Sequence, residues 1–260
     1  MINGERQTKA AIRWGMVGGG RGSQIGYIHR SAAERDRYFQ MTAGAFDLDA
    51  ARGRAFGVEL GLDPDRCYGD YKAMFAAESA RPDGIRAVSI ATPNNTHYEI
   101  SKAALLAGIH VICEKPLTFT TAEAEELGRI ATERGLLVGV TYGYSGYQMI
   151  EEAARLVADG SLGDIRLVNL QFAHGFHNEA VEEANPAIRW RVDPKFAGPS
   201  YVLGDLATHP LYLAEVICPE LKIRRLMCAR QSFIASRAPL GNGDIAQCTL
   251  FCDGVDDIAR

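Results

Sequence analysis

A cluster of glycines at the end of an apolar run restricts what this chain can become more than any other feature. Ala11–Val17 is apolar, and it runs into Met16-Val17-Gly18-Gly19-Gly20-Arg21-Gly22-Ser23. A helical pattern follows, from about Ser23 to Asp36. A strand that ends in glycines and opens a helix must turn sharply, and residues without a Cβ allow both the turn and a close backbone approach to a ligand. Gly18 and Gly20 take the first two positions of G-x-G-x-x-G/A, and Ser23 stands where the third small residue belongs. The helix N-terminus would then offer N–H donors and a favourable dipole to an anion. Arg21, inside the cluster, is grouped with Gly18, Gly20 and Ser23 as a dinucleotide contact. Glycine-rich turns are common, so the weight of the signal comes from its place after a first strand.

The pattern that follows supports that place. Strand-like runs at Phe39–Phe46, Ile85–Ala91, His110–Cys113 and Leu136–Thr141 alternate with helical patterns. The helices are expected at Ala50–Leu60 (with Asp49 as its cap), Tyr71–Ser79, Asn95–Ala107 and Thr121–Arg134. Short apolar strands separated by helices predict a parallel sheet covered on both faces, a doubly wound α/β domain over residues 1–141. From residue 142 to 260 the character changes to an α+β unit with an open sheet. A helix is expected at Tyr147–Ala158 and a long strand at Ile165–Ala173, followed by an irregular aromatic and charged stretch from His174 to Pro199. A helix over Val202–Ile217 and a strand over Leu221–Phe233, in the same sheet as Ile165–Ala173, complete the pattern.

A dinucleotide site also wants an acidic residue at the end of the second strand, for the ribose hydroxyls. Asp47 stands there, although farther from Gly18 than the usual spacing of about 20 residues. A carboxylate at that point repels a 2′-phosphate, which favours NAD over NADP; the neighbouring Arg52 pulls the other way. Asp47 also reads as a plain turn residue ahead of Asp49.

Composition narrows the remaining classes. Over 260 residues, 47% hydrophobic and 23% charged content belong to a globular chain. The net charge of −4, with signs mixed throughout, leaves no basic face for nucleic acid. The six cysteines are scattered without the pairing to histidines that a metal site needs, and they read as buried small residues of a reducing compartment. Met1–Lys9 lacks the apolar core of a signal peptide, and no apolar run reaches the roughly 20 residues of a membrane span. A cytoplasmic protein with no membrane or nucleic-acid partner is expected.

Three later segments carry chemistry. Thr92, Pro93 and Asn94, in Ala91-Thr92-Pro93-Asn94-Asn95-Thr96-His97, follow a strand and so lie at the carboxyl edge of the sheet, where ligands bind. Glu114-Lys115-Pro116 follows the next strand at the same edge, with Pro116 restricting the direction of Lys115. Asp205 and His209, in Gly204-Asp205-Leu206-Ala207-Thr208-His209, are four apart and would share one face of a helix. Lys115 also reads as a solvated strand-end lysine, and Asp205, read alone, is equally a helix-start residue with an inert histidine behind it.

Together, and in this order, these segments resemble the glucose–fructose oxidoreductase / inositol dehydrogenase (Gfo/Idh/MocA) family, over roughly residues 12 to 235. The resemblance implies hydride transfer between a secondary carbinol carbon and a nicotinamide. It implies cofactor contacts from Thr92, Pro93, Asn94, His97, Glu114 and Lys115. It also implies His209 as general acid/base, Asp205 as its orienting partner, and Lys115 as donor to the reacting oxygen. The implied substrate is a sugar, a cyclic polyol or a relative. Tyr144, Arg189, Trp190, Asp205 and His209 are the candidate contacts, although Trp190 and the arginines also suit a purely structural role.

Family members usually run well past residue 260, and after Pro239 the text stops resembling them. A truncated, frameshifted or incomplete product is therefore expected, with homo-oligomer formation through the second domain in doubt. The competing expectations are a non-catalytic dinucleotide-binding sensor and an inactive paralogue.

Overall fold

The computed structural model describes residues 10–175, 177–237, 239 and 243–252. Met1–Lys9, read above for targeting signals, and the Asp256–Arg260 end lie outside the described residues. Contacts within the chain divide it into two units, with the boundary between Thr141 and Tyr142.

In the first unit, β1 (Ile12–Gly18), α1 (Gln24–Arg35), β2 (Phe39–Ala45), α2 (Ala50–Glu59) and α3 (Tyr71–Ser79) come first. They are followed by β3 (Ala87–Ala91), α4 (His97–Leu106), β4 (His110–Cys113), α5 (Thr121–Arg134) and β5 (Val138–Val140). The five strands form one parallel sheet in the order β2-β1-β3-β4-β5. Period-2 alternation sends each strand's side chains to both faces. From β1, Trp14 and Met16 join Met41, Phe46 and Leu62 in one core. Val17 joins Val88 and Ile90 of β3 and Val111 of β4 in the other. With both faces covered, most strand positions are apolar, as expected of a parallel sheet.

Local chemistry sets the ends of the helices. Ser23 caps α1 by accepting from the Gly26 N–H, and Asp49 caps α2 through Ala51 and Arg52. Thr120 and Glu123 form a reciprocal capping box on α5, which ends on Gly135 in the left-handed conformation.

The second unit contains α6 (Gln148–Ala158), α7 (Val181–Ala184), α8 (Pro194–Ala197), α9 (Thr208–Ile217), β6 (Ile223–Gln231) and β7 (Ile245–Cys252). β6 and β7 pair antiparallel as a two-stranded sheet. Two expectations are corrected here. Ile165–Ala173 is not a strand, and β6 pairs with β7 instead of with that segment. A strand exists only as a ladder, and among the described residues Ile165–Ala173 has none. Its alternation also leads to no buried face, with Leu167 83% exposed. The Val202–Ile217 helix is real but not uniform: Val202–Ala207 is π-wound and α9 begins at Thr208. Among the described residues no helix is long and apolar enough to cross a membrane.

Candidate functional site

The glycine loop leaves β1 with Gly18 at φ +75° and Gly19 at φ +64°, conformations that exclude most other residues. At Gly20 the limit is space, because a Cβ there would lie 2.6 Å from the Phe46 carbonyl oxygen. The third small position belongs to Gly26, not Ser23. A Cβ on Gly26 would come within 2.3 Å of the Gly19 carbonyl oxygen, so α1 and the loop touch backbone to backbone. Ser23 serves as the helix cap. Arg30, one turn after Gly26, donates from Nη1 to the same Gly19 oxygen at 2.7 Å. Loss of hydration on burial lowers the pKa of Arg30, and its guanidinium also sits over the Phe56 ring.

A cleft beside the loop is lined by Gly20, Arg21, Phe46, Asp47, Arg52 and Phe56. Asp47, at the end of β2, lines this cleft. Arg52 donates to Asp47 Oδ1 at 2.8 Å and the Asp49 N–H donates at 2.9 Å, which together hold the Asp47 carboxyl below the usual carboxylate range. It is ionised at neutral pH and presents acceptors to a diol. Arg21 pairs with Glu59 at the rim. The glycine cradle, the α1 N-terminus and a carboxylate at the end of β2 fit the diphosphate and ribose of a dinucleotide.

At the carboxyl edge of β3 and β4, Thr96 Oγ1 donates toward Thr92 Oγ1 and the Pro93 carbonyl, both at 2.7 Å. Asn94 is buried. His97 is wholly buried, with Nδ1 2.7 Å from the Pro116 oxygen and Nε2 3.0 Å from the Thr92 oxygen; burial lowers its pKa. It therefore braces the Thr92 loop against the Glu114-Lys115-Pro116 loop instead of facing a ligand, which corrects its expected role as a cofactor contact. Lys115 is half-buried.

Behind Lys115 lies a network that sequence reasoning missed. His29 of α1 places Nδ1 3.0 Å from Ser89 Oγ on β3 and Nε2 2.8 Å from Glu114 Oε1. Thr141 Oγ1 donates to the same Glu114 oxygen at 2.5 Å. Burial raises the Glu114 pKa, but the hydrogen bonds from His29 and Thr141 outweigh it and hold the carboxyl below its ordinary range. The residue preceding Lys115 is thus an ionised carboxylate anchored to α1, β3 and the end of the first unit. His29 and Glu114 are 85 residues apart, so no local signal could have joined them.

In the second unit the ring of His209 is surrounded by aromatic rings. Tyr144 lies 4.7 Å away between centroids, Phe172 5.8 Å and Tyr142 6.2 Å. Asp205 sits in the π-wound turn and His209 in the first turn of α9, so a four-residue spacing still keeps the two near one face. Both carboxylate oxygens of Asp205 lie 3.3 Å from Arg191 Nη1, and the Arg191 guanidinium covers the Trp190 ring at 4.7 Å. Arg189, expected as a substrate contact, donates instead to the carbonyls of Glu182 and Glu183. That turns its Nε and Nη2 donors to the backbone.

Tyr201 and His177 are hydrogen-bonded beside Asp205. Burial, then the Asp205 carboxylate, pushes the Tyr201 phenol up, while burial and the charges of Arg237 and Arg191 push His177 down to about 4. His177 is therefore neutral at physiological pH. Under this cluster Arg237, 1% exposed, pairs with Glu182 at 2.6 Å and Asp244 at 2.7 Å. Among the described residues no group of three or more His, Cys, Asp or Glu side chains is arranged to hold a metal ion.

Comparison with known proteins places this geometry. Residues 12–142 match the family model described as "Oxidoreductase family, NAD-binding Rossmann fold", and residues 150–255 match the "GFO/IDH/MocA C-terminal domain". The second match runs past Pro239, so the family pattern continues where the sequence alone suggested that it stops. An uncharacterized oxidoreductase of Bacillus subtilis is 58% identical over 92% of this chain and 62% of its own length. An inositol dehydrogenase homologue of Azotobacter vinelandii, crystallised with NAD+, is similar at 61% identity and a TM-score of 0.94. That match covers 98% of this chain and 65% of that one. A crystal structure of such a homologue from the same organism, complexed with NADH and myo-inositol, is similar at 59% identity and a TM-score of 0.88, over 96% and 63% of the two chains. The chain thus spans a little under two thirds of the length of these relatives.

Proposed function

Because the chain belongs to the Gfo/Idh/MocA oxidoreductase family, we propose that it carries the sites of an NAD-dependent dehydrogenase acting on a secondary hydroxyl of a cyclic polyol. The observation that carries the reading is the ionised Asp47 carboxylate beside the glycine cradle, an arrangement suited to a ribose diol and unsuited to a 2′-phosphate. The 59% identical homologue bound to NADH and myo-inositol supports the substrate class.

A bound nicotinamide supplies the hydride acceptor. The residues of this chain manage the proton and the oxygen. Lys115 is assigned as hydrogen-bond donor to the reacting oxygen, and His209 as the base that takes the carbinol proton, with Asp205 as its orienting partner. Thr92, Pro93, Asn94 and Glu114 are assigned to the nicotinamide side of the dinucleotide, and Gly18, Gly20, Arg21 and Asp47 to its diphosphate and adenosine side. Tyr144, Phe172 and Trp190 supply apolar faces to a ring substrate. A cytoplasmic location belongs to the same reading.

Titration of the purified chain with NADH and NADPH, followed by nicotinamide fluorescence, tests the cofactor. NADH should bind saturably and at least tenfold more tightly. NAD+ reduction with myo-inositol should then fall by about 10²-fold or more in Lys115→Ala and His209→Ala, the usual worth of a positioned proton-transfer group. NADH binding with turnover indifferent to both substitutions would refute the catalytic reading and leave a nucleotide-binding protein. No binding by a folded sample would overturn the cofactor site itself.

A further inference from the structure

The β6–β7 pair holds a feature that neither the cofactor site nor the acid–base site uses. Cys228 and Cys248 are register partners across the antiparallel ladder, and their sulfurs lie 2.7 Å apart. Both residues are exposed and both are free thiols. Directly opposed residues in an antiparallel ladder have Cα atoms about 4.5–5.5 Å apart, inside the disulfide range of about 4.4–6.8 Å. Bond formation would close the sulfurs by only about 0.7 Å, to roughly 2.0 Å. The third cysteine of the sheet does not compete. Cys252 lies opposite Ile223, four residues along the strand from Cys248, a separation of about 13 Å at strand rise.

We propose that Cys228 and Cys248 form a reversible cross-strand disulfide, a thiol-modification site whose oxidant is a low-molecular-weight disulfide. One cysteine thiolate attacks the small disulfide, making a mixed disulfide and releasing one small thiol. The second cysteine thiolate attacks the protein-side sulfur, closing Cys228–Cys248 and releasing the second small thiol. Two protein thiols are oxidised, losing two electrons and two protons, and one small disulfide is reduced to two thiols. The bond ties β6 to β7 across a 20-residue separation and stabilises the pair against opening.

The test uses the full chain, oxidised glutathione, rapid alkylation and peptide mapping without reduction. A Cys228–Cys248 linked peptide should form in the folded protein and disappear with dithiothreitol. The oxidised second unit should melt on the order of 5 °C higher than the reduced one. Cys228→Ser and Cys248→Ser should each give no link, and should leave the remaining partner as a mixed disulfide with glutathione. The double variant keeps the melting temperature of the reduced protein in both buffers. Full alkylation of both thiols in folded protein under oxidised glutathione would overturn the proposal. So would a link from either residue to Cys252 or to a second chain.

Discussion

Replacing Gly26 by alanine tests the glycine cradle at the point where its geometry is tightest. The new Cβ would lie 2.3 Å from the Gly19 oxygen, 2.5 Å from its Cα and 2.7 Å from its carbonyl carbon, while ordinary contact begins at 3.4 Å. The obstructing atoms are backbone, so no side chain can swing away, and Gly19 must retreat by about 1.1 Å, the difference between 3.4 and 2.3 Å. Overpacking of this kind costs about 1–3 kcal/mol. The free protein can relieve the clash by moving the loop away from α1. Binding must restore the loop, so most of the cost falls on the complex, and NADH affinity should drop roughly 5- to 150-fold. Gly22→Ala is the matched control. It has open space around it but φ +79°, so it pays only for the left-handed conformation, about 1–2 kcal/mol, without pushing Gly19. Fluorescence titration with NADH gives the affinities, and thermal melting separates global damage from a local shift. Gly26→Ala binding NADH within twofold of the wild type would refute the assignment of Gly26 as the packing glycine.

Three further outcomes follow from named contacts. Asp47→Ala should lower the preference for NADH over NADPH at least tenfold, because it removes the carboxylate and releases Arg52 toward a 2′-phosphate; paired Kd measurements check this. Glu114 has a folded pKa below its ordinary value of 4.5, so its pairing stabilises the first unit above that pH and is lost as pH falls through the folded pKa. The melting-temperature advantage of the wild type over Glu114→Gln should therefore shrink below about pH 4.5, and an advantage that grows in acid would contradict a hydrogen-bonded carboxylate at Glu114. Arg237→Met leaves the buried Glu182 and the half-buried Asp244 without their cation, at a cost of about 3–5 kcal/mol, and limited proteolysis should open the second unit while the first stays intact.

Much of the first unit was legible because its signals are local. Tyr71–Ser79, His110–Cys113 and Thr121–Arg134 keep the bounds that periodicity and caps predict, and Ser23 and Asp49 cap their helices. The role of Gly26 was hidden, since close approach between a helix and a loop is a property of packing and not of a motif position. The His29–Ser89–Glu114 network was invisible for a related reason: its members meet only once the sheet has formed. In the second unit, alternation at Ile165–Ala173 suggested a strand, but pairing depends on a partner elsewhere in the chain. β7 was overlooked because Gly241–Asp244 read as a departure from the family. The π winding of Val202–Ala207 was not legible, because the four-residue spacing of Asp205 and His209 suits an α-helix and a π-helix alike.

The sheet order β2-β1-β3-β4-β5 has a consequence for synthesis. Every strand of that sheet finds its neighbours within the first 141 residues, so none waits for a partner still to be translated. Domains fold as units while the chain emerges, N-terminal ones first. The glycine loop, Asp47 and Glu114 can therefore take up their positions on the ribosome before Asp205 or His209 has been made. A nascent chain stalled beyond the first unit should already retain a dinucleotide, and ligand in the surrounding medium would then stabilise the half-made protein by mass action.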